Sequence, residues 1–276
     1  MSPTLPVVVA TLELTLAAAG ALLLWRIALR PGARRMHPVV RLTPWNATVV
    51  DFLKFGLFVL LGSFIAAIGS TLIVKYLPFR GDEVTVFNGA AAQLGMLLGV
   101  VAYRAQAANV AAPPPPLPTG TFISGVATFV IALPVLIATA KAWEVFLEVC
   151  GLPTEKQDLI AMFANADSAW MVIIMLALAI VIAPLTEELI FRAGLFRYFR
   201  TRMPHWVAVL APAIFFATLH VNWKTLQGLS SLAPLTVLAM IFSLAYERTG
   251  RIGTAIVAHA LFNLNTVVLI FSGVGV

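Results

Sequence analysis

The amino-acid sequence predicts an all-α protein, a polytopic membrane bundle of about eight transmembrane helices. Three observations predict it. Hydrophobic residues make up 61% of the chain and charged residues 11%, against about 45–50% and ~25% in a soluble domain. Apolar stretches recur at lengths near the ~20 residues that cross a bilayer core. Lys and Arg collect in alternate connections, the asymmetry that orients membrane helices.

In order along the chain, the predicted spans are roughly 5–27, 52–76, 84–104, 121–146, 168–191, 206–220, 232–246 and 253–272. The first has no basic segment before it, carries Glu13 inside its apolar run and is followed by Arg26 and Arg30. It reads as a membrane helix and not as a cleaved signal peptide. A strongly basic loop, 26–41, follows it. The third span holds "GMLLG" (95–99), a small-xxx-small pair that serves helix packing and would also suit a homodimer. After it, "AAPPPPLP" (111–118) reads as a stiff polyproline-type spacer. The sixth and seventh spans are short, and "VNWKTLQGLSS" between them reads as a re-entrant or interfacial piece. The chain divides at the Pro-rich loop into N-terminal helices with basic and Pro-rich loops (1–118) and a C-terminal group of helices (119–276), within one membrane domain.

One side of the membrane collects Arg26, Arg30, Arg34, Arg35, Arg41, Arg104, Arg192, Arg197, Arg200, Arg202, Arg248 and Arg251; the other holds Lys75, Arg80, Lys156 and Lys224. The Arg-rich side is assigned to the cytoplasm, with both termini opposite. This topology accounts for the net charge of +6 without nucleic acid as a partner. The single Cys150 allows no intrachain disulfide.

Ionisable groups at membrane depth are costly and line a protein interior or a water-filled cavity. The candidates are Glu187, Glu188, His220, His259 and Asn263; Asp51 with Lys54 and Lys141 with Glu144, near span ends, read as local ion pairs. In "LTEELIFR" (185–192), Glu188 and Arg192 stand at i,i+4 in the favourable acid-before-base order. Glu187 lies about 100° round the helix and is left available. In "FFATLH", Phe216 and His220 share a face. With a hairpin turn between Met203 and Pro204, Glu187 and His220 stand at equal height, each ~25 Å from the turn. In "AHALFN", His259 and Asn263 again project from one face.

A carboxylate beside an imidazole in an apolar cavity can act as general base on water. A second His with an Asn can donate to a developing oxyanion. Together they suit hydrolysis of a peptide bond. There is no G-x-S-x-G elbow and no H-E-x-x-H helix. A divalent metal such as zinc stays open, since Glu187, His220 and His259 would make a three-ligand site with a free position.

At "EELIFR" (187–192), "FATLH" (216–220) and "HALFN" (259–263) the sequence resembles the CPBP family of CAAX proteases and bacteriocin-processing enzymes, whose pattern is E-E-x-x-x-R, F-x-x-x-H, H-x-x-x-N. The resemblance covers roughly residues 168–272. It implies a helix bundle around a conical cavity open to the cytosol, so that 119–276 would hold the catalytic core. Glu187 and His220 would then activate water, His259 and Asn263 would form the oxyanion site, and Glu188 with Arg192 would brace the helix. The role of metal in the family is disputed. The function expected is an intramembrane endopeptidase, CAAX-type, acting on peptide, membrane-protein or prenylated substrates through Glu/His-activated water or a metal. The alternative is a non-catalytic scaffold or bacteriocin-immunity protein of the same fold; a proton-relay transporter fits less well. The location expected is a bacterial inner membrane, multi-pass, with the active site toward the cytoplasm.

Overall fold

A computed structural model of the chain describes residues 4–31, 42–43, 45–107, 120–153 and 169–274. The Pro-rich loop 111–118, most of the basic loop 26–41 and Lys156 lie outside the described residues. Among the described residues, eight main helices follow in order: α1 (Thr4–Leu29), α2 (Val49–Tyr76), α3 (Asp82–Gln106), α4 (Thr121–Val149), α5 (Trp170–Arg200), α6 (His205–His220), α7 (Leu232–Thr249) and α8 (Ile252–Ser272). All but α6 are long and apolar enough to cross a membrane, and the chain is an integral membrane protein. With 16 residues, α6 rises ~24 Å, short of the ~30 Å hydrocarbon core. Among the described residues there is no strand.

Seven of the predicted spans are met within a few residues because loss of apolar character marks each end; the fifth, predicted over 168–191, continues as helix to Arg200 past its polar residues. Asp51 has a different use from the one expected. Thr48 Oγ1 accepts from Asp51 N (3.1 Å) and Asp51 Oδ2 accepts from Thr48 N (3.1 Å), a capping box that starts α2. The expected partner Lys54 does not appear among the ion pairs of the described residues. Lys141 and Glu144 do pair, at 2.8 Å.

Two close backbone approaches set the packing. In the α2–α3 hairpin, a Cβ at Gly95 would stand 2.2 Å from the carbonyl oxygen of Gly62, and one at Gly99 2.3 Å from that of Phe58. The "GMLLG" pair is therefore consumed within the chain. Between α1 and α4, a Cβ at Gly20 would meet the Val130 carbonyl oxygen at 1.9 Å. Pro134, four residues on, has no N–H for that carbonyl, so the carbonyl is free of the helix ladder at the point where α1 comes close.

The main core gathers Phe129, Leu133 and Leu136 of α4, Phe196 of α5, Val209 of α6, Leu238 and Phe242 of α7 and Ala258 of α8. A second, aromatic cluster lies at the Arg-rich end. There Trp45 meets Phe55, Tyr103 and Tyr198 edge-on, while Phe52 stacks on Tyr198 at 3.9 Å. Arg197 donates to the Thr43 carbonyl (2.8 Å), and Arg202 to those of Trp45 and Ala47. These bonds strap the segment before α2 onto the end of α5.

Helix α5 is interrupted. Its α-helical stretch Ala183–Glu188 lies between π-helical segments Leu178–Ile182 and Leu189–Phe196. Such wide turns recur at functional sites, and here they bracket the two adjacent glutamates.

Gly95→Val is expected to lower the detergent melting midpoint, at a cost of about 1–3 kcal/mol as for other overpacked positions. Gly89→Ala, whose added Cβ meets nothing within 4 Å, is expected to leave it unchanged. Thermal unfolding of the two variants side by side checks both.

Candidate functional site

Glu188 and Arg192 lie at the centre of the bundle. Their side chains are 0% and 1% exposed, and Arg192 Nη1 donates to Glu188 Oε1 at 2.9 Å. Arg192 Nη2 reaches the Ala239 carbonyl on α7 (3.2 Å), and the guanidinium lies over the rings of Phe216 and Phe242. The same Glu188 Oε1 accepts from His259 Nδ1 at 2.8 Å. A carboxylate oxygen only accepts here, so Nδ1 carries the proton, and His259 Nε2 is turned to the other side. Glu188 thus holds an imidazole as well as the helix, a link that sequence spacing did not reveal.

Nε2 of His259 faces Glu187 Oε2 at 3.9 Å. His220 reaches the same oxygen from α6, with Nε2 at 3.7 Å. Its Nδ1 stands 2.8 Å from the Phe216 carbonyl, which can only accept, so Nδ1 is the protonated nitrogen here as well. Two imidazoles therefore present Nε2 to one carboxylate oxygen. Phe216, buried at 2% exposure, stacks tilted on His220 at 4.3 Å and meets His259 edge-on at 6.3 Å. The other oxygen of Glu187, Oε1, accepts from Gln93 Nε2 of α3 at 3.2 Å.

The structure thus brings together Glu187, Glu188, Arg192, Phe216, His220 and His259. Glu187 and His220, expected at equal height, approach to 3.7 Å. Asn263 sits one turn beyond His259, and its Nδ2 donates to the carbonyl of Ala179 at 2.7 Å. That carbonyl belongs to the first π segment, whose wide turn loosens the regular backbone ladder. Gln93 was not foreseen: a single amide in an apolar span has no local partner at helical spacing that would mark it.

Exposure of the cluster is graded. Glu187 is 12% exposed, His259 6% and His220 35%. His220 is the last residue of α6, at the end remote from Arg200 and Arg202. Counted as helical rise, Glu187 and His220 lie ~20 Å from the Arg-rich end.

The donors of Glu187, His220 and His259 are spread wider than zinc requires. Ligands ~2.1 Å from a tetrahedral metal stand about 3.4 Å apart. The separations from Glu187 Oε2 to the two Nε2 atoms are wider, at 3.7 and 3.9 Å. Among the described residues no group of three His, Cys, Asp or Glu side chains is set to hold a metal ion. The residues as they stand do not fit the ion.

Fold and cluster define a class: an all-helical integral membrane protein with a carboxylate held between imidazoles at bilayer depth. Within that class, residues 169–265 match the family model described as type II CAAX prenyl endopeptidase Rce1-like, in line with the resemblance carried by the three motifs. The match runs from the start of α5 through most of α8. No curated protein and no solved structure matches the chain.

Breaking the buried pair on one side leaves an uncompensated charge, a loss of about 3–5 kcal/mol. Arg192→Met and Glu188→Ala are each expected to reduce sharply the fraction of monodisperse protein recovered in detergent. Fluorescence-detected size exclusion against wild type checks this.

Proposed function

We propose that the protein is an intramembrane endopeptidase that hydrolyses peptide bonds of membrane-associated peptides or proteins, prenylated chains included, by a water activated between Glu187 and His220. The observation that carries the reading is the convergence of His220 Nε2 and His259 Nε2 on Glu187 Oε2, at 3.7 and 3.9 Å.

These separations are too long for direct hydrogen bonds but suit a water at the apex, within reach of both Oε2 and the His220 Nε2 lone pair. As the water oxygen attacks the scissile carbonyl carbon, its proton passes to Glu187. The carbonyl π pair moves onto oxygen, and the tetrahedral oxyanion accepts from His259 Nε2 and from the second N–H of Asn263. Collapse breaks the C–N bond, and Glu187 returns its proton to the leaving amine. Two carboxylates and one guanidinium give the cluster a charge of −1, so a proton on His259 Nε2 makes it neutral before the oxyanion forms. Glu188 and Arg192 hold that imidazole in place and take no proton.

Cleavage of a quenched fluorescent peptide library by the detergent-solubilised protein tests the reading. Glu187→Ala, His220→Ala and His259→Ala are expected to abolish cleavage while eluting as wild type. Asn263→Ala is expected to lower it by about 10²–10³, the loss found on removing one oxyanion donor. Cleavage that survives chelator supports the Glu/His-activated water, and loss restored by zinc supports a metal. Full activity in Glu187→Ala would end the proposal.

The charge asymmetry argues for the Arg-rich end in the cytoplasm, whereas the cytosol-facing cavity implied by the family resemblance needs His220's exposed edge on that side; in this fold the Arg-rich end and that edge lie at opposite ends of α6. In a Cys150→Ser background and intact cells, a membrane-impermeant thiol reagent is expected to label Lys224→Cys and to spare Met203→Cys. The reverse pattern would turn the bundle over and put the exposed edge of His220 in the cytoplasm.

A further inference from the structure

We propose that Gln93 is a positioning residue for Glu187, a role that rests on the hydrolytic reading above. Gln93 lies near the middle of α3 (Asp82–Gln106), outside the segment 169–265 that matches the family model. Its Nε2 donates to Glu187 Oε1 at 3.2 Å. The sense of the amide follows from its partner, since a carboxylate oxygen accepts and only the NH₂ end can donate.

Two features separate this contact from a plain bolt between helices. The first is which oxygen it takes. Gln93 occupies Oε1, while both imidazoles face Oε2. A neutral donor on Oε1 turns the carboxylate about its last torsion and leaves Oε2, the oxygen assigned to receive the proton, toward the two Nε2 atoms. The amide cannot itself give up a proton at working pH, so it orients the base without competing for its role. The second feature is the other end of the amide. Gln93 Oε1 is buried and has no hydrogen-bond partner, a state it shares among the described residues with Tyr103 Oη, Thr186 Oγ1 and Glu188 Oε2, whereas buried polar atoms are as a rule paired. A side chain selected to join α3 to α5 would use both ends of its amide; this one uses only the end that meets Glu187.

The backbone of α3 is placed to make the contact precise in height. Gly95 is two residues on, ~200° round the helix, and lies against Gly62 of α2. The glycine face thus presses α3 onto α2, and the opposite face carries Gln93 to α5. Every other residue in the cluster comes from α5 to α8, so Gln93 is the contribution of the N-terminal helices to it.

The test uses the full-length protein and two variants. Gln93→Met keeps the length and removes the donor; Gln93→Asn keeps the amide but withdraws it by one methylene. Both are expected to lower kcat by about 10–100-fold, the size of effect for an outer hydrogen-bond partner that orients an active group. KM and melting midpoint should stay near wild type, as for an interaction made with the base and not with substrate. A second readout needs no substrate. The infrared difference between each background and its Glu187→Gln derivative isolates the carboxylate stretch of Glu187, and this band is expected to shift in Gln93→Met. An unchanged kcat or an unmoved band would overturn the assignment, as would a loss confined to KM. Failure of the hydrolytic reading is distinguishable: wild type and Glu187→Ala would then be equally active or equally inactive, and the infrared comparison would still report on the bond from Gln93.

Discussion

The ion pair between Glu188 and Arg192 is the constraint on which the rest of the site depends. Both side chains are almost wholly excluded from solvent, and two charges removed from water are expensive even when they meet. Such a pair adds little net stability. What it does is forbid alternatives, because any arrangement that separates the partners strands a charge in an apolar interior. The pair reaches α7 through the Ala239 carbonyl, α6 through the ring of Phe216 and α8 through His259. Four helices are held in register by one guanidinium and one carboxylate.

This explains why two glutamates stand side by side at the end of an uncharged stretch. Adjacent residues on a helix diverge by about 100°, so Glu188 turns into the bundle and Glu187 to its rim. The inner one takes two donors on a single oxygen, Oε1, while its Oε2 is buried without a hydrogen-bond partner. The outer one keeps Oε2 free of direct hydrogen bonds and faces two imidazoles. The flanking π segments change the helical phase on either side of this short stretch. The glutamates therefore need not share the register that the lipid-facing residues of α5 impose. The same wide turn exposes the Ala179 carbonyl to Asn263.

Much of this was legible in the sequence, for a physical reason. Hydropathy reports the solvent that each residue meets, and a bilayer makes that signal strong; hence the eight helices and their approximate ends. The i,i+4 spacing reports contacts within one helix, hence Glu188 with Arg192. The approach of Glu187 to His220 could be measured along the chain because a short turn makes two neighbouring helices share a ruler. Contacts between distant helices have no such ruler. Gln93 and Glu187 are 94 residues apart, Glu188 and His259 71 apart, and no local periodicity joins them. Asp51 was misread for a related reason: Thr48 three residues before it competes with Lys54 three residues after, and the backbone N–H at a helix start is the needier partner.

The bond from Asn265 on α8 to Glu13 on α1, 2.8 Å long, carries the argument beyond the site. Glu13 looked like an anomaly in an otherwise apolar first span. An unsatisfied polar group in hydrocarbon costs several kcal/mol, so the carboxyl and the amide are each bound to find a partner, and in this fold they find each other. The same pressure acts on Gln93, but with a different outcome, since only half of its amide is satisfied. The bond between Glu13 and Asn265 holds α1 to α8. Glu187 at Oε2 and Gln93 at its carbonyl are instead left incomplete next to one another, and that place is where a reacting water and a peptide would have to be.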